Sequence, residues 1–189
     1  MDLGKEATKT IRIAITCVLT FCGLVMPRVA QSQAKVTYGQ DIFLLKSLKP
    51  SLKNIGIMES KLFSKDIESI ARAAAGQGIK ITVAKVIDVR EISGLYKSLV
   101  LDHHVEMLWI PDAHDNLLLG IGFEFIQENA ILDRIGLCVP VKDLVDRGAL
   151  CSIEEESGKL IVYVNQRIAL IDGLQSPTSQ NPAIEFVAR

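Results

Sequence analysis

The chain lacks most of the short signatures that announce a chemistry. It has no Gly-x-Ser-x-Gly nucleophile elbow, no phosphate-cradling glycine-rich loop and no Cys-x-x-Cys pair. The usual α/β-hydrolase, nucleotide-loop and dithiol-redox readings are therefore excluded. There is no basic run, and binding to nucleic acid depends on clustered Lys and Arg. Beyond residue 34 no stretch is long and apolar enough to span a membrane, and there is no internal repeat or low-complexity tract. Cysteine is scarce too: four in 189 residues, with Cys138 and Cys151 thirteen apart, which fits no zinc pattern.

What is there begins with an unusual N-terminus. Lys5, Lys9 and Arg12 precede an uncharged, mostly apolar run, Ile13–Met26, ended by Pro27 and followed by the small residues Ser32-Gln33-Ala34. This is the layout of a secretory signal. The run has 14 residues, whereas a spanning helix needs about 20, so cleavage after Ala34 is expected rather than an uncleaved anchor. Thr20-Phe21 before Cys22 is a poor match to a lipoprotein site. The expected organisation is a signal peptide over 1–34 and one α/β domain over 35–189, exported to the periplasm with no membrane span after cleavage. The segment removed carries +2 (Lys5, Lys9, Arg12, Arg28 against Asp2, Glu6), so a chain of net charge −1 leaves a mature domain of −3. A mildly acidic domain of this kind is not a nucleic-acid partner.

The mature part is organised around Val105–Asp115, VEMLWIPDAHD. Val105–Ile110 reads as a buried strand, Pro111 stops it, and Asp112 and His114 sit just past its end. Around it, apolar runs alternate with helical patterns. A helix over Gln40–Lys49 turns Ile42, Leu45 and Leu48 to one side, after a loose segment Lys35–Gly39. The first strand is Lys53–Met58. A helix capped by Ser64 follows, with Asp66 and Glu68 in its first turn and Ile67, Ile70, Ala71 and Ala74 inward. Gly76 and Gly78 end it. Ile79–Val86 alternates like a strand near an edge. Ile92, Leu95, Tyr96 and Leu99 recur at helical spacing. Asp115 caps a helix facing inward with Leu118, Ile121 and Phe125. Ile135–Val139 is the fourth strand, Lys142–Arg147 a short helix stopped by Gly148, and Ala149–Ile153 the fifth strand. Ser157 is expected to cap a long last helix with Leu160, Val164, Ile168 and Ile171 inward. Ser176–Pro182 reads as a polar loop and Ile184–Val187 as a final edge strand.

Strand–helix alternation at this spacing means right-handed crossovers. The expected fold is α/β, a single doubly wound, flavodoxin-like parallel sheet of about five strands with helices on both faces. Ligands bind such sheets beyond the carboxyl ends of the strands, where the strand order reverses.

Four segments, LKSLKPSLKNIGIM (Leu45–Met58), VEMLWIPD (Val105–Asp112), IGLCVPVKDLVDRGA (Ile135–Ala149) and Leu150–Ile171, occur in an order and spacing that resembles one family. The chain is similar, from about Gln40 to Gln175, to the second lobe of the periplasmic substrate-binding proteins of ABC transporters, the type I binding-protein class. The resemblance implies the strand order 2-1-3-4-5, with the first and third strands side by side at the switch point. It also implies a non-enzymatic ligand-binding or transport role. Family members close two lobes on their ligand. Here only Lys35–Gly39 separates the signal from the second-lobe-like part, so half a cleft is expected.

Candidate site residues follow from the carboxyl edge: Glu59 and Ser60 after the first strand, Asp112 and His114 after the third. No catalytic residue, metal or cofactor is expected. Asp102, His103 and His104 enter the third strand at its start, and the strand separates them from Asp112 and His114 by about 20 Å at ~3.3 Å per residue, so they cannot join those two in a metal cluster. Asp112 with Glu59 could mimic a catalytic carboxylate pair; two solvated loop carboxylates is the reading preferred. A phospho-receiver is rejected, since Met58-Glu59-Ser60 and Glu154–Glu156 stand where paired acids and a lysine would be needed. Trp109 is read as core, stacking on a ligand being the lesser option, and Glu154–Glu156 as a solvated acidic turn. The partner expected is a small organic ligand, or else an envelope protein or a second copy docked on the open edge. Cys138 and Cys151 fall on neighbouring strands within disulfide distance, but parallel neighbours do not point at each other. Two buried thiols are expected.

Overall fold

The computed structural model describes residues 37–61, 64–172, 174 and 184–189. The expected signal over 1–34 and the expected loop at 176–182 lie outside them. The first helix starts earlier than its apolar pattern suggests, because of its cap. The Thr37 N–H donates to Gln40 Oε1 (2.9 Å) while the Gln40 N–H donates to Thr37 Oγ1 (3.4 Å). This reciprocal pair satisfies two orphan donors at once and sets α1 at Tyr38–Leu48, with Ile42, Leu44, Leu45 and Leu48 buried. Tyr38 and Gly39 are thus helical, not a loose lead-in.

The remaining elements are β1 (Asn54–Glu59), α2 (Ser64–Gly76), β2 (Lys80–Lys85), α3 (Ile92–Lys97), β3 (Met107–Trp109), α4 (Phe123–Asp133), β4 (Gly136–Val139), α5 (Asp143–Asp146), β5 (Cys151–Glu156), β6 (Lys159–Val164), α6 (Gln166–Ile171) and β7 (Ile184–Ala188). Wider π-type turns extend α3 over Ser98–Asp102 and precede α4 over Leu117–Ile121. The sheet order is β2-β1-β3-β4-β5-β6-β7. Its first five strands are parallel in the flavodoxin-like order.

The sheet has seven strands against about five expected: β7 is the edge strand read at Ile184–Val187, and β6 replaces part of the long last helix. Ser157 (φ 53°) and Gly158 (φ 78°) both take positive φ, as the two-residue hairpin turn that suits strand twist requires. Glu156 therefore pairs with Lys159, and β6 runs back antiparallel along β5 to Cys151↔Val164. Ser157 caps no helix, and Leu160–Val164 is strand. Only α6 remains helical, capped by Asn165, whose Oδ1 accepts the Ile168 N–H at 3.2 Å. Ile168 is buried as expected, while Ile171 is exposed. The final strand, β7, pairs parallel with β6. On the other side of the molecule Ile121 is 75% exposed rather than inward, because the π-type turns rotate it off the face that a regular helix would give.

The sheet separates two apolar clusters. Ile55, Ile57, Met107, Trp109, Cys138 and Cys151 face one side, under α1, α2 and α6. Met58, Leu108, Leu137 and Val139 face the other, under α3, α4 and α5. Strand alternation with helices on both faces is what buries a parallel sheet on both sides.

Candidate functional site

β1 and β3 are adjacent, Ile57 opposite Trp109, so the loops that leave their carboxyl ends emerge side by side. Pro111 cannot extend the ladder and the chain turns away from the sheet. Asp112 Oδ1 accepts the His114 N–H at 2.8 Å, and Asp112 O accepts the Asp115 N–H at 3.2 Å. This brings Asp115 back inward, where it is fully buried. One of its carboxylate oxygens accepts the Ser60 N–H (2.9 Å), the other the Leu118 N–H (3.1 Å). A single side chain thereby caps the turn before α4, as the sequence suggests, and ties the loop after β1 to the loop after β3. The Lys61 ammonium adds a hydrogen bond to His114 O at 3.4 Å.

Beside these loops, on the α1 and α2 side of the sheet, lies a cavity of about 420 Å³. That is within the range of small-molecule sites. Asp112, His114 and Lys61 line it from the loops, Tyr38 and Asp41 from α1, and Asp66 from α2. Trp109, Cys138, Val139 and Ile153 contribute from the strands. Of the four site residues expected from sequence, the structure brings Asp112 and His114 to this cavity. Glu59 ends β1 as a buried residue, and neither it nor Ser60 is in the lining; Ser60 serves Asp115 through its backbone.

The residues that sequence reasoning did not pick out are Tyr38, Asp41, Lys61 and Asp66. Tyr38 and Asp41 are one turn apart on a helix whose only early signal is the Thr37-x-x-Gln40 capping box. Trp109 is core, 3% exposed, yet also a wall of the cavity. It stands nearly edge-on to Tyr38, centroids 6.2 Å apart at 73°.

Burial pushes the Asp41 carboxyl up to about 7, although the first turn of a helix favours a carboxylate; desolvation wins. The Tyr38 phenol is held above its ordinary range by burial and by the charges of Asp66, Asp41 and Asp112. Three carboxylates from three separate segments therefore converge on one ring. The Cys138 thiol lies far above the ordinary thiol range through its hydrogen bond with Cys151, its burial and the nearby charges of Cys151 and Asp41. Cys138 and Cys151 sit directly opposite each other in the ladder as free, buried thiols. Alkylation of the denatured, unreduced protein is expected to label both; failure to label either would show a bridge.

The acidic run after β5 is not a solvated turn. Glu154 and Glu156 belong to β5 itself. Glu154 Oε1 accepts the Lys142 N–H (2.6 Å), and Glu156 Oε1 accepts from the Lys142 ammonium (2.9 Å) and the Tyr163 hydroxyl (2.6 Å). His104 lies at the other end of the sheet, where its carbonyl accepts from the Asn54 side chain at the start of β1. Among the described residues no group of three or more His, Cys, Asp and Glu is placed to hold a metal ion. None of their helices is long and apolar enough to cross a membrane.

No family model and no curated protein sequence matches the chain. Solved structures share its fold. An ABC domain from Streptococcus pneumonia in complex with L-Trp is 18% identical with a TM-score of 0.66, over 80% of this chain and 62% of that one. The ligand-free, open form of a substrate-binding protein with adhesive properties from Clostridium difficile is 20% identical with a TM-score of 0.61, over 81% and 60%. A conserved domain protein from Vibrio cholerae gives 17% and 0.60, over 73% and 55%. The chain thus spans about three fifths of the structures it resembles, and the fold is that of a substrate-binding protein lobe.

Proposed function

We propose that the chain is an exported, non-enzymatic binding module that holds a small organic ligand in the cavity beside the Pro111–Asp115 loop. The observation that carries this is the cavity's position. It opens at the carboxyl edge of the parallel sheet, at the switch point, in a fold shared with a substrate-binding protein and with a domain that holds L-Trp. Its contents suit binding more than catalysis. The one thiol that reaches it is held protonated, and the carboxylates are grouped around aromatic walls rather than beside a nucleophile. Export rests on the signal-like layout of residues 1–34, and N-terminal sequencing of the secreted product should begin at Lys35.

The test is a melting screen of amino acids, aromatic metabolites, nucleosides and metal salts. A ligand at 100 times its Kd adds about 2.7 kcal/mol, which for a domain of this size raises Tm by roughly 5–10 °C. Asp112→Ala should abolish the shift while leaving the unliganded Tm within a degree or two. A shift that survived this change would move the site elsewhere.

A second reading has its own observation. Ile87 and Ile121 are 78% and 75% exposed on segments that follow β2 and β3 at the same edge. Such residues suit docking of an envelope protein or a second copy. A screen that moves nothing, together with concentration-dependent association, would favour it.

A further inference from the structure

We propose that the ligand of this cavity is an organic cation, with its ammonium group among Asp41, Asp66 and Asp112 and its apolar body against Tyr38 and Trp109. The inference rests on the cavity being a ligand site and adds the charge class of what enters it.

The cavity has two kinds of wall. Two aromatic rings set at 73° form a corner, and ring faces attract cations as well as apolar groups. Around that corner stand three carboxylates, none ion-paired within the described residues. Among the described residues Lys61 is the one lysine or arginine in the lining; it is exposed, with its ammonium turned to a backbone carbonyl. An anionic ligand would meet three acidic side chains against the Lys61 ammonium in a partly desolvated space. A zwitterion would place its carboxylate near the same three acids. An ammonium ion would supply the carboxylates with an opposite charge and the two rings with a cation.

A linkage to pH follows. Among the described residues, the charged and titratable groups sharing the cavity with Asp41 are Tyr38 on its own helix, Asp66 on α2, Lys61, Asp112 and His114 on the loops, and Cys138 on β4. Asp41 is the carboxyl among them that burial pushes up to about 7. A cation binds its charged form, so binding releases a proton below that value and affinity falls up to about tenfold per pH unit.

Calorimetry on the purified full chain decides this, with three probes of one ring system: tryptamine (cation), L-tryptophan (zwitterion) and indole-3-propionate (anion). At pH 8 tryptamine is expected to bind at least about tenfold more tightly than the other two. At pH 5.5, where it is still protonated, its affinity should fall by about ten- to thirtyfold with proton release measurable across buffers. Asp41→Asn should flatten that profile, and the wild-type profile alone suffices if the variant does not fold. L-Tryptophan or the propionate binding as tightly as tryptamine, or a flat wild-type profile for tryptamine, would leave the cavity a ligand site and overturn the cation. Binding by none of the three would overturn the cation, while the cavity reading is decided separately by the melting screen.

Discussion

Asp115→Ala is expected to lower the unfolding free energy by about 3–5 kcal/mol, read from urea denaturation at pH 7. The carboxylate is fully buried and accepts two backbone N–H groups, from Ser60 and Leu118. Hydrogen bonds to a charged acceptor contribute about 1.5–3 kcal/mol each, and their loss strands two donors away from water. Asp115→Asn keeps one carbonyl acceptor and turns an NH₂ toward the other donor, so it should lose about half as much. Hydrogen exchange should show faster loss of protection at Ser60 and Leu118 than in the strands beneath. An alanine variant as stable as the parent would mean that the two loops are held by something else.

Asp41→Asn should have the opposite sign at neutral pH. The folded carboxyl is pushed up to about 7 from an ordinary value of 3.8. Between those values the folded state binds more protons than the unfolded one, so stability falls as pH rises. The cost is absent below about pH 4 and complete above about pH 7. Three pH units at 1.36 kcal/mol each set its ceiling near 4 kcal/mol, and partial solvent contact brings the expected gain of the variant at pH 8 to about 2–4 kcal/mol. At pH 4 the two proteins should be equally stable. Parallel stability curves across pH 4–8 would show that Asp41 is not desolvated. A group that weakens the fold while facing a cavity is the kind of residue that binding, rather than folding, explains.

How far the sequence reaches can be judged element by element. The first five strands were legible because each is a short apolar run bounded by turn residues, and the parallel order follows from helices between them. Asp112 and His114 were legible because Pro111 ends a strand at the edge where such sheets bind ligands. The β5–β6 hairpin was not, since Leu160 and Val164 satisfy a helical period as well as an alternating one. Ser157-Gly158, a turn dipeptide, was the discriminating signal. Asp41 and Asp66 were beyond a linear reading. The chain bringing them to Asp112 passes through α1, α2 and β1, and their convergence depends on the packing angles of helices on the sheet. The capping box at Thr37 and Gln40 would have moved the start of α1 and placed Tyr38 on it, but not the cavity.

The Ser157-Gly158 turn also bears on the order in which the sheet assembles. The β1–β3 parallel pairing joins residues far apart in the chain, Ile55 with Met107, and must wait for the helices and strand between them to be ordered. The β5–β6 ladder closes over two residues, so it carries the smallest entropic barrier to formation and belongs to the microsecond class of hairpin events. In kinetic terms that corner of the sheet is local and fast. The β1–β3 seam beside the cavity is non-local, the slower class of pairing.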